Sequence, residues 1–255
     1  MLTEERRDRI RQLLQKESTL QVPDLVALFD VSVATIRRDL TALEQDGYLR
    51  RVYGGAISLK KPISSTDAFK IRSLEYQTEK AAIGRLAASL IETGDTVLLD
   101  VGTTTLEVAK SLKHREGITV LTNSLPILNE LVDSCLNVYS LSGRMRKSEF
   151  SFVGDLISNT VHSFHISKVF IGCGGYSLEY GLTEHIYDSA QNRNFFIEQS
   201  DEAILVTDSR KFGSNAAVLV ENSGLVKTIV TDCHLSEEWR RKIRAKGIRL
   251  LIADV

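Results

Sequence analysis

Apolar positions fall into two rhythms along this chain. Up to about residue 56 they recur at helical spacing in short runs and then pass into a hairpin-like segment; from about residue 80 short apolar strands alternate with helical patterns to the end. Ile10, Leu13 and Leu14 share one helical face, and Leu25, Leu28 and Phe29 share another, on a helix opened by Val22-Pro23-Asp24, where proline suits a first turn. A short turn, Asp30 to Ser32, leads into a third helix, with the Ser32 hydroxyl placed to cap it. At about 100° per residue, Val33, Ile36, Leu40 and Leu43 fall in one sector and are expected in the core. Ala34, Arg38 and Thr41 then lie opposite, with Thr35 and Arg37 on the flanks. Tyr48 to Gly55 reads as a β-like segment, with Arg50, Arg51 and the pair Gly54-Gly55 suited to a wing.

In the second rhythm, strands are expected at 96–101, 118–122, 137–141, 168–172, 203–208, 228–232 and 248–252, with helices at 81–91, 105–112, 126–132, 188–199 and 237–246. The strands are apolar on both alternating faces, as in a largely parallel sheet covered by helices on both sides. The fold class is therefore α/β, a winged helix-turn-helix domain followed by a Rossmann-like α/β domain. Expected boundaries are 1–56 for the first domain, 57–76 for a linker with the polar run Lys60-Lys61-Pro62, and 77–255 for the second.

Composition changes this picture little. Of 255 residues 43% are hydrophobic, enough for two cores, and the net charge of −1 argues for no general attraction to nucleic acid. Residues 1–60 hold ten Lys and Arg against nine Asp and Glu. No apolar run approaches the ~20 residues of a membrane span and the charged start does not resemble a signal peptide, so a cytoplasmic protein is expected. Cys135, Cys173 and Cys233 form no CxxC pair, and reduced, mostly buried thiols are expected.

Chemistry concentrates in two places. The outward face of the third helix is small, polar and basic, as a helix entering a major groove requires: Ala34 permits close approach, the hydroxyls of Ser32, Thr35 and Thr41 suit phosphates or base edges, and Arg37 and Arg38 can bind guanine in pairs of hydrogen bonds. Arg50 and Arg51 would hold phosphates beside the groove. Two arginines alone would more readily signal an exposed helix face; two helices, a turn, an arginine-bearing helix and a basic hairpin in that order reverse this, and double-stranded operator DNA is the expected partner. In the second domain, ligands are expected at the C-terminal strand ends. Asp100-Val101-Gly102-Thr103-Thr104-Thr105 puts backbone N–H groups and hydroxyls at a helix N-terminus, which suits a phosphate and equally a simple hydroxyl cap. Thr122-Asn123-Ser124 ends the next strand, Gly143 and Arg144 follow another, and Lys211 follows a later one as a point charge; each basic turn also reads as plain exposed surface.

These residues carry a specific resemblance. Glu5-Arg6-Arg7, the segment from Val31 to Leu40, Leu43-Glu44-Gln45-Asp46-Gly47 and the segment from Arg51 to Ala56 together resemble the DeoR family of bacterial sugar-metabolism repressors. Glu79-Lys80, the Asp-x-Gly-Thr-Thr loop, Thr122-Asn123-Ser124, the Gly143-Arg144 turn, Gly181-Leu182-Thr183 and the Lys211 turn follow in family order. The resemblance implies a phosphosugar-isomerase-like sensor domain that binds a phosphorylated sugar or polyol effector through Asp100, Gly102, Thr103, Thr104, Thr105, Asn123, Ser124, Gly143, Arg144 and Lys211. Two departures, Ser142 where the family often has a glycine and Asn192-Arg193 where it often has Lys-Arg, bear on ligand identity. The competing reading is an isomerase-like enzyme with a DNA-binding domain. Gly172-Cys173-Gly174-Gly175 stands where such isomerases place acids, which leaves only Glu179 and Glu184 nearby as a base. No catalytic residue, cofactor or metal is therefore expected, and His162, His165 and His185 are read as ordinary histidines. One winged helix covers one half-site, so a homo-oligomer, at least a dimer, is expected.

Overall fold

The computed structural model describes residues 2–17, 19–46, 48–52, 54–58 and 65–255, which divide into two units, Met1–Gln77 and Thr78–Val255. The first contains α1 (Thr3–Lys16), β1 (Thr19–Gln21), α2 (Val22–Phe29), α3 (Val33–Gln45), β2 (Leu49–Val52), β3 (Gly55–Ser58) and α4 (Ser65–Leu74). Ile10, Leu14, Leu25, Ile36, Leu40, Leu43 and Leu49 form its core. Two residues expected there lie outside it, Leu28 at 58% and Val33 at 45% exposure. The buried sector of α2 is centred on Val22 and Leu25, which turns Leu28 outward, and on α3 burial starts one turn after Val33, at Ile36. β2 and β3 pair antiparallel with Val52 opposite Gly55, and β1 adds to the other edge of β3. Gly55 permits that addition, because a Cβ there would lie 2.3 Å from the Leu20 carbonyl oxygen. α4 lies in the stretch read as linker, and its Phe69, Ile71 and Leu74 are buried.

The second unit begins within α5 (Gln77–Ala88). It continues through β4 (Thr96–Leu99), α6 (Thr103–Leu112), β5 (Thr119–Thr122), α7 (Leu125–Leu131), β6 (Asn137–Ser140), β7 (Arg144–Arg146), β8 (Ser151–Val153), α8 (Leu156–Val161) and β9 (Ile166–Ile171). Next come β10 (Gly175–Ser177), β11 (Gly181–Glu184), α9 (Tyr187–Glu198), β12 (Ser200–Val206), β13 (Val218–Leu219), β14 (Thr228–Asp232), α10 (Glu237–Ala245) and β15 (Arg249–Ala253). Seven strands form one parallel sheet in the order β15-β14-β12-β9-β4-β5-β6. Its two faces alternate residue by residue: Leu98, Val169 and Ile171 enter one core, and Val97, Leu99 and Phe170 enter the other. The chain runs outward through β4, β5 and β6 and then restarts on the other side of β4 with β9. The β4/β9 boundary is thus the topological switch point, where the crevice of such a sheet opens.

Candidate DNA-reading face and candidate effector site

α2 ends on Asp30, held in the left-handed region at φ 51°, and after the turn Ser32 caps α3 by accepting the Thr35 N–H at 3.2 Å. The Ser32 and Thr35 hydroxyl oxygens also lie 2.9 Å apart. Ser32, Ala34, Arg37 and Arg38 are exposed, whereas Thr35 and Thr41 are half-buried. Among the described residues neither the Arg37 nor the Arg38 guanidinium has a partner. The remaining expected DNA contacts are engaged. Thr41 donates its hydroxyl to the Arg37 carbonyl at 2.8 Å and accepts from Arg51 Nη1 at 2.7 Å, while the Arg51 backbone N–H donates to Glu44 at 2.6 Å. Arg50 pairs with Glu75 at 2.9 Å. Strand β2 is thereby tied to α3, which leaves Ala34, Arg37 and Arg38 as the freest groups on that face.

A neighbour of these arginines does the positioning. Asp39, 1% exposed, accepts from Arg6 Nε at 2.6 Å and from Arg7 Nε at 3.1 Å, which clamps α1 onto α3. The helical pattern does not single out Asp39 as a functional residue. The available signal was the acid beside two arginines in α3 matched with an arginine pair in α1.

At the switch point a second buried network forms. The Asp100 N–H donates to the Phe170 carbonyl at 3.0 Å, which ties the ends of β4 and β9. Arg193, from α9, lies between two acids, with Nε 2.7 Å from Asp100 Oδ2 and Nη1 2.5 Å from Glu184 Oε1. All three side chains are buried. Burial pushes the Asp100 carboxyl up from its ordinary value, against the pull of Arg193. For Arg193 burial acts downward, but Glu184 and Asp100 outweigh it and raise the guanidinium further. Desolvation pushes the Cys173 thiol up to about 11, and the Lys211 charge is among the groups acting on it. Cys173, just after β9, is therefore within electrostatic reach of Arg193 on α9, Glu184 at the end of β11 and Lys211 after β12.

The glycine-threonine loop follows directly. Thr105 Oγ1 donates to the Gly102 carbonyl at 3.0 Å, so that hydroxyl serves its own loop; Thr104 is buried, and Gly102 and Thr103 are half-buried. On β5 the Thr122 hydroxyl binds the Leu99 carbonyl at 2.7 Å, and Asn123 Nδ2 donates to the Phe152 carbonyl at 3.2 Å. Asn123 Oδ1, Ser124 Oγ and Ser151 Oγ are buried without a partner among the described residues, and Ser124 and Ser151 face each other in a β-bridge. Ser151 carries no loop signal in the sequence.

The β7–β8 hairpin places Arg144, with a side chain 75% exposed, 3.3 Å from Asp188. Arg146 binds Asp188 at 2.7 Å and the Ser189 hydroxyl at 2.6 Å. Gly143 has a packing reason of its own, since a Cβ there would lie 2.5 Å from the Val153 carbonyl oxygen. The expectation of mostly buried cysteines does not hold, because Cys135 is exposed and Cys173 and Cys233 are half-buried; all three are free thiols. Cys135 lies in the turn before β6, where the chain leaves α7 for the surface.

Residues 6–62 match a model described as the DeoR-like helix-turn-helix domain, and residues 75–233 match the DeoR C terminal sensor domain. The chain belongs to the DeoR family. Its DeoR-type relatives include a putative aga operon transcriptional repressor of Escherichia coli O157:H7, 30% identical over 98% of this chain and 94% of the relative. The transcriptional repressor AccR of Agrobacterium fabrum is 36% identical over 90% of each chain. Among solved structures, the full-length sorbitol operon regulator SorC of Klebsiella pneumoniae matches at 11% identity and a TM-score of 0.41, covering 93% of this chain and 97% of that one.

As a DeoR-family protein the chain is a DNA-binding transcriptional regulator and not an enzyme. The acids that an isomerase reading would need are engaged. Glu184 is paired with Arg193, and exposed Glu179 acts on the Tyr180 phenol beside it, raising it from its ordinary value. His162 lies edge-on to Phe195 and His165 pairs with Asp201. Among the described residues no helix is long and apolar enough to cross a membrane.

Proposed function

We propose that the chain represses a sugar or polyol catabolic operon and is relieved by a phosphorylated sugar or polyol. Residues 1–56 act as the DNA-binding domain, 57–76 as the connection and 77–255 as the sensor, in a cytoplasmic homo-oligomer. The observation that carries the DNA half is the outward face of α3, where Arg37 and Arg38 stand unpaired beside Ala34 while Asp39 locks the helix from behind. Arg37 and Arg38 read guanine edges in the major groove, and Ser32, Thr35, Thr41, Arg50 and Arg51 serve the flanking phosphates.

In the sensor the phosphate sits at the N-terminus of α6, on the backbone N–H groups of Gly102 to Thr105, with Lys211 and Arg144 supplying charge. Asn123 and Ser124 take hydroxyls of the ligand. Their buried, unpartnered oxygens support this, since such groups are costly to leave unmade. Asp100, held by Arg193, keeps the loop in place, and Gly143 lets the hairpin close beside it.

The test uses an operator selected in vitro from random duplexes, with affinity followed by fluorescence anisotropy at fixed salt while phosphorylated and unphosphorylated sugars and polyols are added. One phosphorylated compound is expected to weaken operator binding by roughly 5- to 150-fold. Identical operator affinity across the whole panel counts against sensing, and full selective affinity in Arg38→Ala counts against the docking of α3.

A further inference from the structure

Val33 is the first residue of α3, and it does not do what an apolar residue at that point on the helical wheel is expected to do. It is 45% exposed, whereas Ile36, Leu40 and Leu43, which share its sector of the wheel, are buried. Its neighbours along the surface are informative. Val33, Arg37 and Thr41 follow one another at four-residue spacing, with Ala34 and Arg38 beside them, so the exposed face of α3 begins with two aliphatic side chains and continues with two unpaired arginines. Ser32 already caps the helix, so Val33 has no part in ending it.

We infer that Val33 is a base-reading residue that packs on the 5-methyl group of a thymine in the operator. The inference rests on the reading of α3 as the helix that enters the groove. The N-terminal turn of such a helix is the part that reaches base edges, and the thymine methyl is the one apolar feature a major groove presents. A β-branched residue is also stiff about χ1, so little side-chain freedom is lost when its methyl groups are pressed against that target. The spacing adds a constraint on sequence. Val33 and Arg37 are ~6 Å apart along the helix axis, and base pairs rise by ~3.4 Å, so the thymine belongs within about two base pairs of the guanine that Arg37 reads.

The experiment uses the full-length protein and its selected operator. Each thymine is replaced in turn by deoxyuridine, which pairs identically but lacks the methyl group, and affinities are compared for wild type, Val33→Ala and Arg37→Ala. Wild type is expected to lose about fourfold at one position in each half-site, the value of one buried methyl-sized group. Val33→Ala should bind the thymine operator more weakly and be indifferent to uracil at that position. Alanine is favourable in a helix and Val33 is largely outside the core, so unchanged thermal unfolding of Val33→Ala checks that only the contact has gone. Tolerance of uracil everywhere by wild type, or a uracil penalty that persists in Val33→Ala, overturns the inference. If selectivity is lost in Arg37→Ala in that event, only the role of Val33 falls; if Arg37→Ala and Arg38→Ala both keep it, the docking of α3 falls as well.

Discussion

Arg193 balances two carboxylates almost without help from water. Its partner Asp100 closes β4 and its other partner Glu184 closes β11, so one guanidinium holds together a strand end, a hairpin and α9. A buried ion pair adds little when whole, but removal of one member leaves charge stranded in a medium that cannot solvate it, at about 3–5 kcal/mol. Arg193→Met is therefore expected to lower the stability of the sensing unit by that order near neutral pH. The pH dependence follows from sign. Burial already pushes Asp100 upward, and without the arginine both that push and the repulsion from Glu184 go unopposed. A carboxyl whose folded-state pKa lies above its unfolded value destabilises the fold as pH rises through the folded pKa and ceases to do so below the unfolded one. The melting-temperature gap between wild type and variant should thus narrow as pH falls from about 7 toward 4. Thermal melts across that range measure it, and a gap of constant size would mean that Arg193 packs rather than neutralises. In the DNA-reading unit Asp39 holds the corresponding place, one buried acid under two arginines.

At the level of elements, the β7–β8 hairpin is the piece that joins the end of β5 to the N-terminus of α9. Its inner strand bonds to the end of β5, where the Phe152 N–H meets the Asn123 carbonyl at 2.8 Å, and its outer strand reaches Asp188 and Ser189 through Arg146. Gly143 stands where the chain enters β7, against the Val153 carbonyl. Backbone cannot retreat as a flexible side chain can, so Gly143→Ala is expected to destabilise the unliganded sensor by about 1–3 kcal/mol, read by chemical denaturation. Unchanged stability together with weaker effector binding would return Gly143 to the ligand instead. This hairpin also marks where sequence pattern loses its force. The strands of the parallel sheet are legible because all but the edge strand β6 send alternate residues, such as Val97 and Leu98, into two separate cores. β1, β7, β8 and β10 are three residues long and β13 two, too short to show a period, and close approaches such as Gly55 to Leu20 place them. The strand-end loops are legible for a different reason, since glycine and hydroxyl residues interrupt apolar runs there. The partner of Asp100 is not, because Arg193 lies 93 residues away and no pattern in the sequence ties it to that loop. Val33 fails in the opposite sense: the wheel places it in the core sector, but a wheel has no ends, and burial on α3 starts one turn later.

For the molecule as a whole, repression relieved by an effector requires two sites in two units to share one free energy. If the effector lowers operator affinity by some factor, operator DNA must lower effector affinity by the same factor, whatever path connects them, because the four states form a closed cycle. The two measurements are independent. Operator affinity with saturating effector comes from anisotropy, and effector affinity with saturating operator comes from calorimetry at the same salt, since the phosphate contacts of the DNA-reading face make its binding strongly salt-dependent. Equal factors, of roughly 5- to 150-fold, are expected at a protein concentration where the oligomer does not dissociate. Unequal factors would show that one ligand moves a further equilibrium, and association of the chains is the natural one, because a single winged helix covers only a half-site. Repetition at tenfold higher protein then decides: factors that converge place the discrepancy in assembly, and factors that stay apart rule out the two-state coupling of effector and operator.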